Sequence, residues 1–214
     1  MKIYDQLKQQ PLFGGMGSDD LGDVVAHVRF GFETAARKAV IASPKMPCKR
    51  LLMLTEGVMT VETRMSNGVL MLTETIEAPV AIEPERLFGL QQHYLRTYQA
   101  LTKCSIITVD KNDMLKIFAT SLVFKINVLN YLCAITQRKT QLMWDNAPAN
   151  LQERIVRYLK ALCLTPAGTK VFHVKMTDMA KIMGCTRLEV SIALNDLGKN
   201  GCILLKRGII ILTD

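Results

Sequence analysis

Thr186-Arg187-Leu188-Glu189 is the run with the clearest chemical content in this chain. A threonine followed three residues later by a glutamate is a capping box: the hydroxyl accepts from a helix amide while the carboxylate reaches back to the cap amide. A helix that begins there carries Arg187, Leu188, Ser191, Ile192 and Asn195 on its outward face. Arg187 can grip guanine O6 and N7 or a phosphate, Ser191 can hydrogen-bond a base or a phosphate, and Leu188 and Ile192 can pack on thymine methyls. Glu189 has two roles open to it, the structural cap or acceptance from cytosine. Upstream, Ala180 is small where two helices must approach, Gly184 falls where the turn favours a left-handed conformation, and Val190 is a buried first-turn residue. Downstream, Lys206-Arg207-Gly208 forms the tip of a hairpin, and a basic tip contacts phosphate without reading sequence. The candidate DNA contacts are therefore Thr177, Thr186, Arg187, Leu188, Glu189, Ser191, Ile192, Asn195, Lys206 and Arg207.

Covalent chemistry finds no such support. No nucleophile–base constellation, Gly-rich phosphate loop or metal-ligand cluster stands out, so no enzyme, cofactor or metal is expected. The six cysteines, Cys48, Cys104, Cys133, Cys163, Cys185 and Cys202, form no C-x-x-C pair and read as small buried hydrophobes in a reducing compartment. His27, His93 and His173 are isolated and read as surface or internally satisfied side chains. The N-terminus shows no signal-peptide h-region, and no apolar run approaches the roughly 18 residues of a membrane span. A cytoplasmic protein without membrane contact is expected.

The net charge of +8 is unevenly placed. Residues 1–110 balance 12 basic against 12 acidic side chains, residues 111–147 hold 5 against 2, and residues 148–214 hold 10 against 5. A neutral front and a basic back suggest a sensory or scaffold part joined to a part that binds a polyanion.

Three groups of elements must position these residues. After Pro148, the helix Leu151–Leu162, a strand at Val171–Val174, helices at Met176–Met183 and Arg187–Lys199, and strands Ile203–Lys206 and Ile209–Leu212 follow the order of a winged helix-turn-helix. From about Asn112 to Asp145 there is neither Pro nor Gly. Leu122, Ile126, Leu129, Cys133, Thr136, Thr140 and Met143 make one helical stripe, and Phe124, Val128, Tyr131, Ile135 and Leu142 a second. A helix apolar on two faces must bury both; one can lie on its own domain and the other on a partner helix, making a homodimer spine that ends at Asp145-Asn146-Ala147-Pro148. The N-terminal part, after a short helix near Ser18 to Val28, reads as β-structure. Lys49–Val61 is strand-like, Asn67-Gly68 between two strand-like runs predicts a type I′ hairpin, Ile82–Tyr98 reads as more polar and helical, and Ile106–Val109 as a buried strand.

The whole chain, and most strongly residues 149–212, resembles the Crp/Fnr family of bacterial regulators. The resemblance rests on Met176-Thr177-Asp178-Met179-Ala180-Lys181-Ile182-Met183-Gly184-Cys185-Thr186-Arg187 for the helix-turn-helix. It rests also on Leu54–Val61 for a strand pair of the sensory domain, and on Arg96-Thr97 with Ala100–Cys104 for the end of the phosphate cassette. It implies an α+β protein with a cyclic-nucleotide-binding-like antiparallel β-roll (a jelly-roll-like double-stranded β-helix) over residues 1–111. A dimerisation helix and hinge over 112–147 and a winged helix-turn-helix over 148–214 would follow. It implies transcription regulation by a homodimer on near-palindromic double-stranded DNA, with RNA polymerase as a further partner. Glu85, Arg96 and Thr97 are the matching effector positions. The departures matter: Glu83–Gly89 lacks the Gly-Glu pair of cyclic-nucleotide binders, and Tyr98 stands where a small Ala is the rule. The effector is expected to be unknown or absent rather than cyclic AMP, with a ligand-gated regulator and a protein-docking winged helix as the alternatives. Where many members read bases with Glu and Arg, this chain has Leu188 and Ile192, so its operator should differ.

Overall fold

The apolar run Ile106–Val109 lies at the heart of the first half of the molecule. In a computed structural model, which describes residues 3–144 and 148–212, it belongs to strand β8 (Cys104–Asp110), flanked by β1 (Phe30–Ala35) and β3 (Arg50–Glu56). A strand paired on both sides and covered on both faces must be apolar throughout, and residues 106–109 are all buried. With β6 (Val80–Ile82) these strands form a four-stranded antiparallel sheet in the order β1-β8-β3-β6, and β2 (Val40–Ala42) pairs with β7 (Thr97–Ala100). Between β3 and β4 (Val58–Arg64), Gly57 takes φ +99°, and a Cβ there would stand 2.5 Å from the Lys103 carbonyl. Only glycine fits. The chain divides into two units, one of residues 1–60 and 76–137, the other of residues 61–75 and 138–214.

The first unit opens with α1 (Ile3–Gln9), a 3-10 turn Pro11–Phe13 and α2 (Ser18–His27), as the helical reading near Ser18 expects. Its C-terminal helices depart from a continuous spine. The stretch after Asp110 is α3 (Lys111–Thr120) and α4 (Leu122–Trp144), bent by 116° at Ser121. Ser121 has extended backbone angles, and its hydroxyl accepts from the Phe124 amide, so it ends one helix and caps the next. The two stripes of α4 do separate as their spacing requires. Phe124 and Val128 are buried, with the Phe124 ring tilted against Phe13 and Phe118 at centroid distances of 4.7 and 5.7 Å. Asn127 ties the helix down by donating to the carbonyls of Leu12 and Gly14. Leu122, Ile126 and Leu129 instead remain 66, 46 and 55% exposed, with Cys133, Thr136 and Thr140 also in water. The side chains of Leu142 and Met143, and the break at Asp145-Asn146-Ala147, lie outside the described residues.

Two further readings change. Residues 82–98 are not helical beyond the 3-10 turn Pro84–Arg86, because Glu83 and Gly89 both adopt positive φ and Pro84 denies the segment an amide. The hairpin of β4 and β5 (Leu70–Glu77) is present, but its turn is not type I′. Only Gly68 in it takes positive φ; Gly68 donates to the Met65 carbonyl, and the Asn67 side chain accepts from Val69. Asn67 is thereby used as an acceptor, and a longer loop closes the same hairpin. Among the cysteines, Cys48 and Cys104 are buried as expected, whereas Cys133 and Cys202 are exposed. Burial pushes the Cys48 thiol up, and that of Cys163 to about 11, so both stay protonated at neutral pH.

The second unit joins the hairpin segment 61–75 to α5 (Leu151–Leu162), β9 (Lys170–Val174), α6 (Met176–Met183), α7 (Arg187–Lys199), β10 (Ile203–Lys206) and β11 (Ile209–Leu212). Its sheet runs β10-β11-β9-β5-β4, with Leu72 opposite Phe172. Leu70 and Leu72 share one core with Ile155, Leu159, Phe172, Met179, Val190 and Leu194. No single described helix is long and apolar enough to cross a membrane.

Candidate nucleic-acid interface

The joint between α6 and α7 is built by local rules. Gly184 sits at φ 63°, ψ 37°; its amide donates to the Lys181 carbonyl, and that of Cys185 to Ala180. This is a Schellman ending, which needs a left-handed residue after the helix. Nothing lies within 4 Å of a Cβ placed on Gly184, so its backbone angle alone asks for glycine. The N-cap of the next helix lies two residues on. The Thr186 hydroxyl accepts from the Glu189 amide at 3.2 Å, and the Glu189 carboxylate accepts from the Thr186 amide and hydroxyl, each at 2.7 Å. Those bonds, the backbone one foremost, hold the Glu189 carboxyl below the usual range. Glu189 therefore serves the cap.

Val190, Ala193, Leu194 and Leu197 turn inward and are buried, as are Ala180 and Met183 on α6. That packing leaves Arg187, Leu188, Ile192 and Asn195 exposed on the other side of α7, with Ser191 half-buried. Thr177 is exposed on the first turn of α6. The β10–β11 turn leaves Lys206 and Arg207 exposed. Among the described residues no carboxylate pairs with Arg187, Lys206 or Arg207, whereas Lys181 and Lys199 lie 3.9 Å from Asp178 and Asp196. Exposed cations without carboxylate partners among the described residues, one of them on the first turn of a helix, suit a phosphate backbone.

Residues 153–214 match the Crp-like helix-turn-helix domain. In fold the chain is similar to the catabolite activator protein of Thermus thermophilus, with 14% identity and a TM-score of 0.51 over 95% of this chain and 93% of that one. It is likewise similar to the N-terminal domain of a transcriptional regulator from Streptomyces coelicolor A3(2), at 18% identity and a TM-score of 0.53, covering 68% of this chain and all of that one. In sequence, no curated protein matches the chain. The chain therefore carries a Crp-like helix-turn-helix domain over residues 153–214 and shares its fold with these two structures.

Around the Crp-like domain the structure adds a group that sequence reading missed. Glu74 and Lys170 are 0 and 3% exposed at the side chain and meet at 3.1 Å. Lys170 also donates to the Thr165 hydroxyl and the Ala167 carbonyl, and the Glu74 carboxylate accepts from the Leu164 amide. The available signal was alternation: Glu74 falls in the inward register of β5 with Leu70, Leu72 and Ile76. An acidic residue in that register demands a buried partner.

The effector positions are arranged differently from a ligand cradle. Arg96 is buried and donates to Glu83 at 3.1 Å; Tyr98 donates to the same oxygen at 3.2 Å, and the Leu95 amide to the other at 2.7 Å. Burial pushes the Tyr98 phenol well above its ordinary range, so it stays a neutral donor. Glu85 and Thr97 are half-buried beside this group. The guanidinium expected to meet an anion already has one.

Proposed function

We propose that this chain is a cytoplasmic, sequence-specific DNA-binding regulator that acts as a homodimer on a near-palindromic operator, with RNA polymerase as its downstream partner. The observation that carries the reading is the conjunction of an exposed α7 face with Arg187, Lys206 and Arg207, unpaired among the described residues, on a Crp-like domain. The division of labour is a sensory part over residues 1–111, a dimerisation helix and hinge over 112–147, and a DNA-binding part over 148–214. The exposed Leu122, Ile126 and Leu129 of α4 support the dimer, since a second copy would remove that stripe from water. Two recognition helices then enter successive major grooves about 34 Å apart.

Random-oligonucleotide selection with the purified full chain, no ligand added, tests this. The expected product is a palindromic consensus, bound with an affinity that falls steeply with salt as condensed counterions are released. Equal affinity at low and high salt, or a monomer in sedimentation at micromolar concentration, refutes the reading.

A ligand-gated variant is favoured by one feature. A cleft of about 450 Å³ is lined by Pro44, Arg86, Leu90, Gln91, Tyr94 and Leu95 among others, and by none of Glu85, Arg96 and Thr97. Arg86 donates to the Gln91 side chain, and its buried Nε has no hydrogen-bond partner among the described residues. An anionic ligand would raise the melting temperature of the wild type and not of Arg86→Ala. A nucleotide panel that shifts neither, or both alike, removes this variant.

A further inference from the structure

The outward face of α7 has an apolar centre. Leu188, Ile192 and Asn195 are spaced i, i+4 and i+7, which places them in one row along the helix. Leu188 is 70% exposed and Ile192 53%, on a helix whose other large aliphatic side chains, Val190, Leu194 and Leu197, are all buried. The two add almost nothing to the core. The polar side chain between them in sequence, Glu189, is held by Thr186. Ser191 is turned partly inward. The first two turns of α7 thus offer one cation and two branched hydrocarbons, not the array of hydrogen-bonding groups that reads most duplexes.

A major-groove floor presents donors and acceptors at every base pair, and its apolar feature is the C5-methyl of thymine. Resting on the DNA-binding reading above, we propose that α7 is a thymine reader. Leu188 and Ile192 each close on a thymine C5-methyl, Asn195 reaches an adenine N6/N7 edge further along, and Arg187 holds a guanine or a phosphate at the helix end. The charge of the same unit favours DNA over an apolar protein groove, because Arg187, next to Leu188 in sequence, and Lys206 and Arg207 of the β10–β11 turn are exposed without carboxylate partners among the described residues. Four residues of helix rise about 6 Å, close to two base steps of roughly 3.4 Å each. The contacted thymines therefore fall within two steps of one another, in an A·T-rich centre to each half-site.

The test alters the DNA and leaves the fold alone. Each thymine of the selected operator is replaced in turn by deoxyuridine, which keeps base pairing and removes only the methyl group. Full-length wild-type protein should bind about three- to fivefold more weakly at the positions under Leu188 and Ile192, the effect of one unburied methyl. The variants L188A and I192A, both at exposed positions, should each lose that sensitivity at one position of the half-site. If a specific operator is selected yet uracil and thymine bind alike throughout, thymine reading is wrong and DNA binding stands. If no specific duplex is selected, the DNA-binding reading fails and thymine reading fails with it.

Discussion

Lys170→Ala should destabilise the second unit by about 3–5 kcal/mol, since removing one partner strands a buried charge. The stranded group would be Glu74, 0% exposed, which keeps only the Leu164 amide as a donor. The Thr165 hydroxyl and the Ala167 carbonyl would lose the ammonium as a donor but keep the bond that joins them. Glu74→Ala should cost a similar amount, because Lys170 would then be buried with two neutral acceptors and no counter-charge. The double replacement Glu74→Leu with Lys170→Met should recover most of the loss, as a well-packed apolar pair commonly equals or exceeds a buried ion pair. Native-state hydrogen exchange at the β9 amides reads this unit separately from the rest of the chain. Single and double variants with equal protection would show that the pair is not the cause. The consequence for function lies in the hairpin. β5 pairs with β9, and β9 pairs with β11, one arm of the basic turn at Lys206 and Arg207. Loss of the ion pair is thus a disturbance two strands from the proposed phosphate contacts.

Glu83→Ala should be comparably severe for the first unit, about 3–5 kcal/mol, and for a related reason. One carboxylate accepts from Arg96, Tyr98 and the Leu95 amide, so its removal orphans a buried guanidinium, a buried phenol and a backbone N–H at once. Glu83 also holds φ +40°, a conformation that costs a non-glycine residue energy and persists only where the surroundings enforce it. Glu83→Gln keeps one acceptor oxygen but sets an NH2 donor against the Leu95 amide or against Arg96 and Tyr98, so it should lose less than Glu83→Ala while still falling short of the wild type. Denaturant unfolding followed by a probe in the first unit distinguishes the two. Equal stability of wild type, Glu83→Ala and Glu83→Gln would contradict the assignment. The cluster also bears on effector choice. A cyclic phosphate would have to displace Glu83 from Arg96 and find room beside the buried Tyr98. An anion at Arg96 would thus compete with an internal carboxylate.

The helix-turn-helix was legible because its determinants lie close together in sequence. Thr186 and Glu189 are three residues apart, Gly184 follows its own helix, and the inward positions of α7 repeat with the period of one helix. Such features depend on backbone geometry over a turn or two and are indifferent to what packs on them. The two stripes of α4 were legible on the same grounds, though not which of them would be covered within the chain.

Other features were decided only by folding. Ser121 breaks a stretch without Pro or Gly because its hydroxyl finds the Phe124 amide, an alternative that helix periodicity does not reveal. Asn67-Gly68 signals a hairpin, but the turn type followed from the Asn67 side chain accepting from Val69. Glu83, Arg96 and Tyr98 meet because positive φ at Glu83 and Gly89 folds the intervening segment back, where polarity alone suggested a helix. Glu74 and Lys170 are separated by nearly half of the chain and meet only when β5 enters the sheet beside β9. The amino-acid sequence by itself determined the local elements and the face that α7 would show to solvent. The tertiary structure decided the partner of each buried charge, because burial makes an unpaired ion intolerable while leaving open which distant residue will pair with it.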